Sequence, residues 1–161
     1  MAGSEGEMGR RGAVILVVED DPNDVFFLKR ALKEAGVEQA VKAVHDGEEA
    51  IRYLEGSGRY ADRRRYPLPC LLLLDLKLPK RSGLEILRWL RRDEELRDLP
   101  VVMISSSDAP GERDAAHADG VEAYRVKPVS FTDLVLLARD LRARADAHCE
   151  DAEPCAGEAA E

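Results

Sequence analysis

Carboxylates, a hydroxyl and a lysine recur in this sequence at one kind of position, directly after a short apolar run. Glu19-Asp20 follows Ala13–Val18, Asp75 follows Cys70–Leu74, Ser105 follows Val101–Ile104, and Lys127 follows Glu122–Val126. These runs are too short for helices and rich in β-branched residues and leucine, which predicts buried strands. If they lie parallel in one sheet, their carboxyl ends share an edge, where open α/β sheets bind their ligands. Three carboxylates on one edge repel one another unless they are protonated or bridged by a cation. An all-oxygen donor set suits Mg²⁺, which takes few protein oxygens and keeps several waters. A lysine and a hydroxyl across from the acids would complete a pocket for a phosphoryl group. Singly, each residue is ordinary, because acids after strands often cap helices. Their coincidence at one edge is the informative feature.

The elements that must hold these groups alternate along the chain. After the first strand, Asp21 is placed as N-cap and Pro22 as the first helical residue, with Asp24 three residues after the cap. Val25, Leu28, Leu32 and Ala35 supply an apolar stripe, and Gly36 closes that helix. Val41–Val44 predicts a second strand. Asp46 and Glu49 then open a helix carrying Ala50, Ile51 and Leu54, which ends at Gly56. A loop of glycine, arginine and tyrosine precedes the third strand, whose unbroken apolar run predicts cover on both faces. Leu84, Leu87 and Leu90 give a third helix to about Leu96, and Gly111–Ala118 a weaker fourth. Ser130 and Asp133 cap a fifth helix through Leu134, Leu137 and Leu141. Five consecutive βα units imply a five-stranded, doubly wound parallel sheet with five helices, an α/β fold over residues 13–143. Residues 1–12 read as a disordered leader and 144–161 as a disordered acidic tail.

Composition narrows the function classes. The chain has 161 residues, enough for one domain, and 45% are apolar, which excludes wholesale disorder. No apolar run approaches the ~20 residues of a membrane helix, and the N-terminus lacks the apolar core of a secretory signal. A cytoplasmic protein without a membrane partner is therefore expected. The net charge is −8, and residues 145–161 hold six acids with no lysine or arginine. A near-neutral body with an acidic tail offers nucleic acid no basic face. Cys70, Cys149 and Cys155 are odd in number without framework spacing, which suits a reducing compartment. His148, Cys149 and Cys155, placed in the tail, lack the ligand count and rigidity of a zinc site.

The segments VVEDDP, LLLLDLKLP, VVMISSS and AYRVKP, in this order and spacing, resemble the receiver domain of two-component response regulators. The resemblance spans roughly residues 13–143. It implies a flavodoxin-like sheet with strand order 2-1-3-4-5, and an aspartyl phosphate formed on Asp75 from a histidine kinase or a small acyl phosphate. It implies Mg²⁺ held by Asp20 directly, Glu19 through water, Asp75, and the main-chain carbonyl of Lys77. Lys127 would neutralise a phosphoryl oxygen, Ser105 would bond the phosphoryl group, and Tyr124 would turn inward as the switch residue. Lys77 and Ser107 occupy positions that set phosphoryl lifetime, with Lys77 shielding the acyl phosphate. The Lys127–Pro128 peptide is expected to be cis.

The loop GRYADRRRYPLP and the turn LPKRSG resemble single-domain regulators paired with bacterial phytochrome kinases. The resemblance then implies a phytochrome-type kinase partner, an unknown downstream protein, and a switch face of the fourth helix, fifth strand and fifth helix. Tyr124, Val129, Phe131 and Val135 could supply apolar surface there, as for a homodimer, or could equally belong to the core. Arg63, Arg64 and Arg65 read as a solvated loop or, alternatively, a docking patch. The chain is expected not to be an enzyme beyond phosphoryl transfer to Asp75 and hydrolysis from it. A phosphatase with an aspartyl nucleophile would want a second Asp where Lys77 stands. A phosphorylation-independent binding module remains the competing reading.

Overall fold

Each of the five apolar runs forms a strand in the computed structural model, which describes residues 12–150. The strands are β1 (Val14–Val18), β2 (Ala40–Val44), β3 (Leu71–Leu74), β4 (Val101–Ser105) and β5 (Ala123–Val126). The helices are α1 (Pro22–Glu34), α2 (Gly47–Glu55), α3 (Gly83–Arg92), α4 (Pro110–Ala118) and α5 (Phe131–His148), with a short 3₁₀ turn at Gly58–Tyr60. All neighbouring strands pair parallel, in the order β2-β1-β3-β4-β5. The expected order is the observed one.

Alternation along the strands divides the interior into two layers. Leu16, Val18, Leu72, Leu74, Met103 and Tyr124 pack with Ala50, Leu54, Ile86, Leu87 and Ala116, from the side carrying α2, α3 and α4. Ile15, Val17, Leu71, Leu73, Val102 and Ile104 pack with Leu28, Leu32, Ala138 and Leu141, from the side carrying α1 and α5. Covering both faces buries β1 and β3 throughout, which is why their sequences show no polar alternation. Among the described residues, no helix is long and apolar enough to cross a membrane.

Several boundaries differ from expectation for local reasons. Asp21 caps α1 by accepting from the Asn23 N–H rather than from Asp24. Asp46 accepts from the Glu49 N–H, but the Glu49 side chain reaches back to His45 N–H. α3 ends at Arg92, because the Asp93 carboxylate accepts from the N–H groups of Glu95 and Leu96 and turns the chain. α5 runs to His148, beyond the expected domain boundary at 143, because Ala145 and Cys149 are buried against the sheet layer. Cys149 is therefore not in a flexible tail: it is joined to Cys70 in a disulfide. The expected leader, apart from Gly12, and the tail beyond Glu150 lie outside the described residues.

The loop before β3 is built around three tyrosines. Tyr53, Tyr60 and Tyr66 sit with ring centroids 5.0–5.9 Å apart. Arg63 does not belong to a solvated patch. Its guanidinium donates to the carbonyls of Tyr53 and Leu54 in the last turn of α2 and to that of Tyr66 in the loop, at 2.7–3.0 Å. Arg64 and Arg65 are exposed.

Candidate functional site

The carboxyl ends of β1, β3, β4 and β5 meet at one edge, as parallel pairing requires. Backbone bonds fix the groups in place: Asp75 N–H donates to Val18 O at 3.1 Å, and Lys127 N–H to Ser105 O at 2.8 Å. Behind Asp75 the chain passes so close to α3 that a Cβ on Gly83 would strike the Asp75 carbonyl oxygen. Only glycine fits there, which pins the turn that carries the acid. Two residues later Lys77 N–H donates to Asp75 Oδ1 at 3.3 Å, while the Lys77 side chain is exposed at the rim.

One cation serves several acids. Lys127 Nζ donates to Glu19 Oε1 at 2.5 Å, Asp24 Oδ2 at 3.1 Å and Asp75 Oδ2 at 3.1 Å. Carboxylate oxygens of Glu19, Asp20 and Asp75 lie within 4.8 Å of one another. Glu19 and Asp75 are buried, whereas Asp20 faces solvent. Glu19 is the least hydrated of the acids, and burial with the nearby Asp75 charge pushes its carboxyl up to about 7, against the lowering effect of its Lys127 and Asp21 hydrogen bonds. Burial alone would lower the Lys127 ammonium, yet the Glu19 hydrogen bond and the Asp75 charge outweigh it and raise it above its ordinary value. Three hard oxygen donors with one exposed member fit a divalent cation such as Mg²⁺.

On the other side of Asp75, Ser105 is fully buried and its Oγ accepts from Ser107 N–H at 3.1 Å. Ser107 Oγ is bonded to Glu112 on α4. Tyr124 is 1% exposed, with its hydroxyl donating to Ser107 O at 2.7 Å. Of the two readings left open for it, surface or core, the structure gives core: the ring fills the layer under α4 and offers a partner no surface. The Lys127–Pro128 peptide is trans rather than cis. With this geometry Val129 is left fully exposed, and Ser130 begins α5 by accepting from Asp133 N–H.

Three features were missed in the sequence. Asp24 was given only a capping role, yet one helical turn carries it from Asp21 back over the site to Lys127. His45, which no motif in the sequence singles out, places its Nδ1 3.3 Å from the Glu19 carbonyl oxygen, across the β1–β2 pairing. Beside the acids, a cavity of about 320 Å³ opens between α1 and α5, lined by Phe27, Leu28, Phe131 and Leu134 among others. Phe26, Phe27 and Phe131 stand exposed at its rim in edge-to-face contact.

Residues 15–139 match the response regulator receiver domain. The chain belongs to that family. It is 35% identical to a probable methanogenesis regulatory protein, FilR2, of Methanothrix harundinacea, over 80% of this chain and 81% of that one. Among solved structures, it resembles the response regulator RPA3017, described in red light signalling of R. palustris, at 36% identity and a TM-score of 0.75. That likeness covers 80% of this chain and 90% of the other. It also resembles the phosphorylated cyanobacterial phytochrome response regulator RcpA, at 32% identity and a TM-score of 0.74, over 81% and 91% of the two chains. The chain is thus a receiver domain with phytochrome-associated response regulators among its relatives.

Proposed function

We propose that this receiver domain accepts a phosphoryl group on Asp75 from the phosphohistidine of a sensor kinase and works as a phosphorylation switch. The observation that carries this reading is the Lys127 ammonium held between Asp75 and Glu19 at the sheet edge. An Asp75 oxygen forms the bond to phosphorus as the phosphorus–nitrogen bond of the donor breaks, and the freed imidazole leaves. Transfer of this kind passes through a loose transition state, so positioning and charge supply the catalysis. Lys127 neutralises one phosphoryl oxygen and keeps Asp75 aimed. Glu19, Asp20, Asp75 and the Lys77 carbonyl are the groups that would hold Mg²⁺, which when bound supplies charge neutralisation to the phosphoryl oxygens.

The product turns a carboxylate monoanion into an acyl phosphate dianion. Ser105 then bonds the phosphoryl group, and the Ser107 segment that holds Tyr124 shifts with it. That couples the site to the face of α4, β5 and α5, where Val126, Val129 and Leu136 expose apolar surface for a downstream protein or a second copy of this chain. Phe26, Phe27 and Phe131 offer apolar contact to the protein that brings the phosphohistidine. The phytochrome-associated relatives favour a phytochrome-type kinase as that donor, in the cytoplasm. Lys77 and Ser107 flank the phosphoryl group and set its lifetime.

Intact mass after incubation with acetyl phosphate and Mg²⁺ tests the reading, comparing wild type with Asp75→Asn. A single phosphoryl adduct on wild type alone is expected. A folded wild type that takes no adduct would make the chain a phosphorylation-independent binding module.

A further inference from the structure

The pair Cys70–Cys149 lies outside the acidic edge and takes no part in the proposed switch. Cys70 is fully buried directly before β3, where its N–H donates to Val14 O at 2.9 Å. Cys149 caps the C-terminus of α5, its N–H donating to Ala145 O at 2.7 Å, and is 6% exposed. The Cα atoms are 5.3 Å apart, within the ~4.4–6.8 Å that a disulfide spans, and the two sulfurs are joined. A reduced pair also has a place. Cys70 Sγ lies 3.4 Å from the Val14 carbonyl oxygen, an acceptor for the thiol proton.

We propose that Cys70 and Cys149 form a reversible thiol–disulfide site, reduced by dithiols and reoxidised by small disulfides, that clamps the last turn of α5 onto the start of β3. The bridge joins residues 79 apart in sequence. The loop it closes contains Asp75, Ser105 and Lys127, so the covalent tie encloses most of the acceptor site. Besides Ala145, which is buried in the layer beneath α5, the helix end is tied by partly exposed polar contacts. Arg144 and His148 hold Glu122 at 2.9 and 2.5 Å, and Asp146 accepts from Gln39 at 3.0 Å. Partly exposed pairs of this kind are weak, so the disulfide adds the one covalent tie to the apolar packing of Ala145.

The exchange is balanced. A dithiol thiolate attacks the Cys149 sulfur, the more accessible of the two, and the Cys70 sulfur leaves and takes a proton. The second thiol of the reductant then attacks its own sulfur in the mixed disulfide, releasing Cys149 as a thiol and the reductant as a cyclic disulfide. Oxidised glutathione reverses the process by accepting the two electrons and two protons as two molecules of reduced glutathione.

The test uses the full chain, oxidised with glutathione disulfide or reduced with dithiothreitol, and repeats both treatments on Cys155→Ser and Cys149→Ser. Non-reducing peptide mapping should find a link between Cys70 and Cys149 in the wild type and in Cys155→Ser. Closing so long a loop should place the oxidised Tm above the reduced one by on the order of 10 °C. Reduction should speed amide exchange in the last turn of α5 at least several-fold, and Cys149→Ser should melt alike under both treatments. The wild-type comparison needs no variant, so misfolding of Cys149→Ser leaves the test intact. Free thiols at both positions after oxidation would overturn the proposal. So would a link through Cys155 or between chains, or equal melting and exchange of the oxidised and reduced wild type.

Discussion

Replacing Glu19 by glutamine should make the metal-free protein more stable at pH 8 and remove most of its loss of stability between pH 4.5 and 7. Lys127 is one cation shared by Glu19, Asp24 and Asp75, so the least hydrated acid keeps its proton longest. The Glu19 carboxyl moves from 4.5 to about 7 on folding, burial being the main cause. The folded state therefore binds more protons than the unfolded chain in that window, and stability falls as pH rises through it, then levels off. At about 1.4 kcal/mol per pH unit, the loss attributable to Glu19 is about 3 kcal/mol. For a domain of this size that corresponds to a Tm difference on the order of 10 °C. Glutamine keeps the shape and the neutral state, so Glu19→Gln should follow a flatter curve that crosses above wild type near neutrality. Mg²⁺ competes with the same proton, so its stabilisation of wild type should grow from pH 5.5 to 8. Urea denaturation of both proteins across pH 5–8, with and without Mg²⁺, measures all of this. Parallel curves for wild type and Glu19→Gln without Mg²⁺ would refute the reasoning.

The remaining predictions concern the parts around that cluster. Gly83→Ala should destabilise by about 2–3 kcal/mol in chemical denaturation, since its Cβ must displace the Asp75 carbonyl, and should slow adduct formation with acetyl phosphate. Arg63→Ala should cost about 1–3 kcal/mol by removing the guanidinium bonds to the Tyr53, Leu54 and Tyr66 carbonyls, while exposed Arg64→Ala should stay within about 0.5 kcal/mol of wild type in the same assay. Lys77→Ala should shorten the lifetime of the aspartyl phosphate, followed by intact mass after donor removal; an unchanged decay rate would exclude shielding by Lys77.

Strand identity was legible in the sequence because β1 and β3 are covered on both faces, so their apolar runs are unbroken and end sharply at Glu19 and Asp75. Helix starts were legible through Asp21, Asp46 and Ser130, whose side chains cap locally and leave a local signature. Helix ends were less so. Asp93 stops α3 by a turn that competes with one more helical turn, and α5 continues because Ala145 and Cys149 meet the sheet, a contact no window of sequence contains. The strand order came from family resemblance, since hydrophobic pattern alone does not say which parallel strands are neighbours.

The sequence by itself determined the alternation of five strands and five helices, and the set of acids, hydroxyl and lysine at the strand ends. Those properties depend on local periodicity and on the rule that parallel strands share a carboxyl edge. Only the tertiary structure decided how the charges are shared: that Asp24 joins Lys127, that Glu19 is the buried acid and Asp20 the exposed one, and that Tyr124 is packed inside. It also brought Cys149 to Cys70 and turned Arg63 from a surface charge into a cap for α2. Burial and through-space partners set each of these, and both depend on residues tens of positions away.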